Sequence, residues 1–303
     1  MKKRSISLML AAVTAAMCVF AGCGGNPSND SSASISETSA AETEDSSKGV
    51  LRVGMECAYA PFNWTQETDE VPNGDKAVPI YGTNYYAYGY DVMMAKKIAD
   101  ELGWDLEIHK VEWDSIGMAM DSGEYDCIIA GMGKTAEREQ SYSFTEPYYY
   151  RDNCITVKKG TEFESITGLS QLAGKNVTVT TQLGTGWVPL LTQVPDATLG
   201  ANYETTAECF MALSNGVADI VVIDVPTAES AAMTNSDLVV ISLDENDTFQ
   251  NDQEMTNVCI ATRKDDTELR DKIQSAMDSL EWNDKEKMDE MMDVAIEMQP
   301  AAN

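Results

Sequence analysis

A mixed α/β architecture in two lobes of similar design is what the sequence predicts, on three observations. Cys127-Ile128-Ile129-Ala130 is a short, unbroken apolar run after Asp126, the pattern of a strand buried on both faces of a parallel sheet, and Gly131 and Gly133 stop it. The stretch Met118-Ala119-Met120-Asp121-Ser122-Gly123-Glu124-Tyr125-Asp126 that leads into it is matched by Met211-Ala212-Leu213-Ser214-Asn215-Gly216-Val217-Ala218-Asp219, again followed by an apolar run, Ile220 to Ile223. Both units hold a helix end, a glycine C-cap, an aspartate and a buried strand, so the chain carries one design twice. Finally, roughly 250 residues remain after an export segment, which is long for one core and comfortable for two domains.

Taken in order, the first 22 residues place Lys2, Lys3 and Arg4 before an apolar run from Ile6 to Phe20 and finish Phe20-Ala21-Gly22-Cys23. A basic start, an apolar stretch too short to span a bilayer and small residues before the cleavage point describe a signal peptide over 1–22. The Ala-Gly-Cys ending resembles the lipobox of bacterial lipoproteins, with Cys23 as the lipidated residue; plain secretion with an incidental Cys23 is the alternative. Residues 23–49 are dominated by Ser, Thr, Glu, Asp, Ala and Gly, with Ile35 the single sizeable aliphatic residue, and predict a flexible tether.

The folded part opens with a strand at Leu51-Arg52-Val53-Gly54 and a loop rich in aromatics from Met55 to Phe62. Residues 66–88, with Pro72, Asn73-Gly74, Pro79 and Gly82, read as an insertion forming a small hairpin. Asp91 to Leu102 has helical period, with Val92, Ala95, Ile98, Ala99 and Leu102 on one face. Leu106 and Ile108 alternate in a strand that places His109 at a surface or edge, and Trp113-Asp114 precede the helix that leads to Gly123. Thr135 reads as the N-cap of a helix opened by Ala136, Glu137 and Arg138. The run to Tyr148-Tyr149-Tyr150 enters a strand from Cys154 to Val157, where the chain first crosses to the second lobe and the tyrosines pack near the crossing. That lobe holds a strand from Val177, the loop Gln182-Leu183-Gly184-Thr185-Gly186-Trp187, a helix, the repeated unit ending at Asp224, and a strand from Val239 to Leu243. Val258 to Ala261 returns the chain, and Asp266 to Met298 is helical with a break near Asn283. Lobe 1 is therefore 50–151 with 256–299, lobe 2 is 152–255, and two crossing strands make a hinge.

Composition bounds the partners. A formal charge of −29 opposes nucleic acid and anionic lipid surfaces, both polyanions, and no later run is long and apolar enough to span a bilayer. Cys57, Cys127, Cys154, Cys209 and Cys259 form an odd set without Cys-x-x-Cys spacing, so small buried thiols are expected rather than a disulfide framework. With His109 the single histidine, neither a metal site nor a cofactor is expected.

Two strand ends make the candidate site. Gly131 and Gly133 leave the backbone bare where open α/β sheets present N–H groups to ligands, and Arg138 adds a guanidinium, together a receptacle for a carboxylate. An ordinary strand-to-helix turn with Arg138 held by Glu137 or Glu139 is the other reading. The repeat puts Asp224 at the corresponding end in the second lobe, either as an anionic ligand group or as a helix cap. Facing lobes would hold a zwitterion between them.

Val53-Gly54 with Tyr59-Ala60-Pro61-Phe62, Gly89-Tyr90-Asp91-Val92, Leu102-Gly103, Trp113-Asp114, Ser122-Gly123 with Asp126, Gly131-Met132 with Thr135 and Glu137-Arg138, and Phe144-Thr145-Glu146-Pro147-Tyr148 occur in order over residues 50–298. In combination they resemble the bacterial extracellular solute-binding proteins of family 3, the polar amino-acid-binding proteins of ABC importers. The resemblance implies a type II periplasmic-binding-protein clamshell, a monomer that closes on a free amino acid and delivers it to an ABC permease, lipid-anchored at the outer face of the cytoplasmic membrane. It implies that Arg138 grips the α-carboxylate with the amides of Gly131 and Gly133 and the loop of Gly184 and Thr185, and that Asp224 takes the α-ammonium. Tyr59 and Trp113 would flank the side chain, or serve as core aromatics; Glu56 would line the pocket, or stand as a solvated rim carboxylate. Gly133 departs from the family's Thr or Ser, Glu56 is a methylene longer than the usual aspartate, and Trp187 stands where a small or polar residue is common. No enzyme activity is implied; the alternatives are a cyclohexadienyl dehydratase-like enzyme on the same scaffold, with Glu56 as general acid, and a ligand-sensing protein.

Overall fold

Residues 48–251 and 256–300 are described by the computed structural model, so the signal segment, Cys23 and the tether up to residue 47 lie outside the described residues. Val50–Met55 (β1) turns Leu51, Val53 and Met55 fully inward, as a strand at the centre of a core must. Ala58–Tyr59 (β2), Asn63–Gln66 (β3), Val78–Pro79 (β4) and Tyr86–Tyr88 (β5) then pair antiparallel in the order β2-β3-β5-β4. The stretch expected as a small hairpin is thus part of a four-stranded sheet that starts before it. Its turn residues were visible in the sequence; the edge-to-face packing of Trp64 on Tyr88, which gives the sheet its own small core, was not.

Tyr90–Leu102 (α1) buries Val92, Ala95, Ile98 and Ala99, the face that the period predicts. Asp105–Lys110 (β6), Ile116–Asp121 (α2), Cys127–Ile128 (β7), Arg138–Ser141 (α3) and Tyr142–Tyr149 (β8) follow. After the crossing come Asn153–Lys158 (β9), Thr178–Thr180 (β10), Thr198–Leu199 (β11), Thr206–Ser214 (α4), Ile220–Asp224 (β12), Val225–Thr234 (α5) and Leu238–Ile241 (β13). Val258–Arg263 (β14) returns, and Thr267–Ser279 (α6) and Lys285–Glu297 (α7) end the described chain, with the break where the sequence places it.

Two five-stranded sheets result, β6-β1-β7-β14-β8 and β11-β10-β12-β9-β13, built on one plan. In each, three parallel strands are joined by an antiparallel fourth that a crossing supplies: β14 pairs with β7 in the first sheet, β9 with β12 in the second. The repeated units occupy equivalent places. Their helices end at Gly123 (φ 84°) and Gly216 (φ 71°), and the amides of Asp126 and Asp219 donate to the carbonyls of Arg52 on β1 and Thr178 on β10. Each sheet has its own apolar core: Leu51, Ile98, Ile273 and Met292 belong to one cluster, Leu172, Leu190 and Val222 to another.

Three local expectations are corrected. Thr135 does not cap a regular helix: α3 is a four-residue turn whose N-cap is Glu137, although Thr135 Oγ1 still accepts from the Arg138 amide at 3.2 Å. The helix expected after Trp187 is a 3-10 segment, Val188–Gln193, tightened by Pro189 in its first turn. His109 does sit on an edge strand, yet it is buried, because residues 80–81 lie along that edge and Tyr81 stacks on its ring at 4.7 Å. All five described cysteines are buried, and none forms a disulfide with another of them.

Candidate functional site

Four strand ends supply the site, since in open α/β sheets the carboxyl ends of parallel strands leave backbone and side chains free to meet a ligand. β1 runs out into Glu56, β7 into Ala130 and Gly131, β10 into Gln182, and β12 ends at Asp224. The first three ends, with Trp113, Arg138, Arg151 and the Thr185–Trp187 loop, line one narrow cleft.

Arg138 is placed by carbonyls rather than by a carboxylate. Its Nη1 donates to Gly133 O at 2.8 Å, its Nη2 to Gly184 O at 2.9 Å, and its guanidinium lies over the Trp113 ring at 5.3 Å. Gly133 and Gly184 stand on opposite sides of the cleft, so this side chain bridges the two lobes. Burial, and then the nearby Arg151, push its guanidinium down to about 10, where it is still a cation at neutral pH. Among the described residues no carboxylate lies within ion-pair distance of it. The sequence alternative, in which Glu137 or Glu139 holds Arg138, is therefore not what the geometry shows; Glu139 pairs with Lys134 instead.

Asp224 is a helix cap, one of the two roles the sequence allowed. As N-cap of α5 its Oδ1 accepts from the Thr227 amide at 3.0 Å, while Oδ2 accepts from Tyr59 Oη at 2.5 Å. Tyr59 in turn accepts from Arg151 Nη1 at 2.9 Å, and that nitrogen lies 3.8 Å from Asp224 Oδ2. Gly131, in the left-handed region at φ 61°, allows this: a Cβ there would stand 2.6 Å from the Tyr59 ring.

Glu56 is 3% exposed, which removes the reading of a solvated rim carboxylate. Burial pushes its carboxyl up to about 7, against the lowering effect of Gln182, whose Nε2 approaches it at 3.3 Å. Beneath the cleft, Asp91 is fully buried and its carboxyl is pushed up to about 6 by burial, although Tyr148 Oη donates to it at 2.6 Å and Asn63 Nδ2 at 2.7 Å. Tyr148 Oη also accepts from the Gly131 amide at 3.0 Å. This corrects the role given to that amide: Gly131 lines the cleft, but its N–H is committed to Tyr148 and is not offered to a ligand.

Of the residues singled out in the sequence, Glu56, Tyr59, Trp113, Gly131, Gly133, Arg138 and Thr185 line one cavity. Gly184 touches it through Arg138, and Asp224 through Tyr59. Thr185 Oγ1 donates to the Gln182 carbonyl, which shapes the loop. Sequence reasoning gave no role to Gln182 or Arg151 and marked Trp187 as a departure from the family pattern. Trp187 is 3% exposed and lies under the Arg151 guanidinium at 4.9 Å. The signal available for Arg151 was a lone cation between two apolar strands, in a chain with only 21 lysines and arginines.

A family model for bacterial extracellular solute-binding proteins, family 3, matches residues 51–293. The arginine-binding extracellular protein ArtP of Bacillus subtilis (strain 168) is 28% identical over 246 residues, 79% of this chain and 84% of that protein. An amino acid ABC transporter substrate-binding protein from Streptococcus pneumoniae Canada MDR_19A, bound to L-arginine, has a TM-score of 0.67 at 25% identity, covering 84% of this chain and 96% of that one. An ancestral amino acid-binding protein described as a precursor of cyclohexadienyl dehydratase has a TM-score of 0.62 at 28% identity, covering 81% and 94%. The architecture here is the two-lobed type II fold of these proteins.

Proposed function

The chain belongs to the bacterial extracellular solute-binding proteins of family 3, and on that premise we propose that it captures a free amino acid between its two lobes and delivers it to the permease of an ABC importer. One observation carries the reading of the site. The Arg138 guanidinium, free of any carboxylate among the described residues, faces a cleft whose Tyr59 wall is hydrogen-bonded to the buried Asp224 of the other lobe. A ligand carboxylate would take the remaining N–H groups of Arg138 in charge-assisted bonds, and an ammonium would turn to Asp224 and Tyr59. Trp113 and Tyr59 wall the cavity, Gly133 and Gly184 aim the guanidinium, Thr185 shapes its loop, and Glu56 with Gln182 forms the far wall.

In this reading lobe 1 is 50–151 with 256–299, lobe 2 is 152–255, and the protein is a monomer tethered through lipidated Cys23 to the outer face of the cytoplasmic membrane. It is a binding protein and not an enzyme. A dehydratase on the same scaffold needs a protonated acid in the cleft, and Glu56 meets that requirement up to about pH 7. Incubation with arogenate or prephenate is expected to yield no phenylalanine or phenylpyruvate; their appearance would replace transport by catalysis.

A thermal-shift screen of free amino acids tests the reading. A ligand at 100 times its Kd stabilises by about 2.7 kcal/mol, and Arg138→Ala is expected to abolish the shift while the protein stays folded. No shift with any amino acid, or a full shift in the variant, would refute it.

A further inference from the structure

Resting on the reading of the cleft as an amino-acid site, we propose that Arg151 sets the ligand class: the protein takes amino acids whose side chain ends in an oxygen acceptor, an acid or an amide, and rejects cationic side chains.

Arg151 is a fixed part of the wall. It sits in the first crossing, between β8 and β9, and is 8% exposed. Its Nε donates to the Thr256 carbonyl at 2.7 Å, where the chain crosses back, and its Nη1 donates to Tyr59 Oη at 2.9 Å. The flat of the guanidinium lies 4.9 Å from the Trp187 ring and 5.8 Å from Phe62. Two aromatic rings and two hydrogen bonds hold it in the cleft wall. Its Nη2 has no hydrogen bond among the described residues, so donors remain for an oxygen entering the cavity that Arg151 lines.

Charge opposes a cationic ligand such as the arginine for which ArtP is named. Arg138 and Arg151 share one cavity, and the repulsion between them contributes to the lowered value of Arg138. The carboxylates whose charges reach them are Asp224, already 3.8 Å from Arg151, Glu56, which burial keeps protonated to about pH 7, the buried Asp91 beneath the cleft, pushed up to about 6, and the exposed Glu137 beside Arg138. Lys110, Glu112 and Glu208 act on Glu56 only as distant charges. A guanidinium or ammonium side chain would have to stand beside two guanidinium groups that line the cleft itself. A carboxylate is attracted to both, and a carboxamide oxygen at least accepts from Nη2.

Calorimetry on the full chain at pH 6 with glutamate, aspartate, glutamine, asparagine, arginine, lysine and leucine, for wild type, Arg151→Met and Arg151→Lys, decides it. The tightest wild-type ligand is expected to carry a side-chain oxygen and to bind at least about 100-fold more tightly than arginine or lysine. Arg151→Met, which keeps length and apolar stacking, should shrink that ratio by about 10-fold or more, and Arg151→Lys should retain most of it. A tightest ligand that is cationic or apolar overturns the inference while leaving the amino-acid site standing, as does a folded Arg151→Met with the ratio unchanged. If the methionine variant fails to fold, the wild-type ratio alone decides. Binding of no amino acid overturns the site and the inference together.

Discussion

Replacing Glu56 by Gln isolates the cost of holding a carboxyl in the cleft wall. Its folded value of about 7 against the usual 4.5 is a shift of about 2.5 units, caused first by burial. At 1.36 kcal/mol per unit, this corresponds to about 3 kcal/mol. The folded state binds this proton more tightly than the unfolded chain does. The associated stability is therefore fully present below pH 4.5, declines between 4.5 and 7, and is gone above 7. A glutamine has no such decline and can still accept from Gln182. Relative to wild type, Glu56→Gln is expected to be near neutral at pH 4.5 and stabilising by about 3 kcal/mol at pH 8, or roughly 6–12 °C in Tm for a body of this size. Thermal unfolding of both proteins without ligand across pH 4.5–8 measures the gap, and taking the difference cancels other titrating groups such as Asp91, which lies beneath the cleft. Two parallel pH curves would refute the claim that Glu56 is desolvated.

Three further substitutions probe the supports. Tyr148→Phe removes the donor to Asp91 and the acceptor of the Gly131 amide, both buried, and should cost about 3 kcal/mol in urea unfolding; a change below about 0.5 kcal/mol would mean those groups find water. Gly131→Ala places a Cβ 2.6 Å from the Tyr59 ring at a left-handed φ, so calorimetry should show ligand binding weakened by about 10-fold or more with the fold retained, and unchanged affinity would show that Tyr59 moves freely. Asp126 accepts from Arg52 at 2.8 Å and from Arg263 at 2.9 Å; burial raises its carboxyl, but these arginines outweigh it and hold it below the usual range. Its contribution is present above pH 3.8 and lost below it, so Asp126→Asn should cost about 2 kcal/mol at pH 7 and progressively less in acid, without changing ligand affinity.

The parts of the fold that the sequence revealed are those set by local pattern. The period of α1, the paired units around Gly123 and Gly216, and the break before α7 all follow from spacing, because burial on one face imposes it. What it concealed depends on neighbours far along the chain. His109 is buried only because residues 80–81 cover β6, and Gly131 loses its amide to a tyrosine 17 residues on. The same holds in the site. Arg138 follows the first of the repeated strands and Asp224 ends the second, so both could be picked out from their positions, whereas Arg151 is drawn into the cleft by Tyr59, Trp187 and Thr256, from three separate parts of the chain.

The residues that would hold a ligand are also the ones that hold the lobes together. Arg138 reaches the Gly184 carbonyl, Tyr59 reaches Asp224, and Gln182 reaches Glu56, each from one lobe to the other. A guanidinium has five N–H groups, and Arg138 spends two of them on Gly133 and Gly184. It can therefore grip a carboxylate with the others without letting go of the second lobe. A lysine at this position would have three donors and no fixed fork, and would have to choose. Each cross-lobe bond by itself is worth only about 1 kcal/mol net, too little to hold two domains shut against their freedom to separate. A carboxylate on Arg138 would add to one of these cross-lobe contacts, and in the proposed reading closure and capture would then be one equilibrium, biased by the ligand through the same guanidinium.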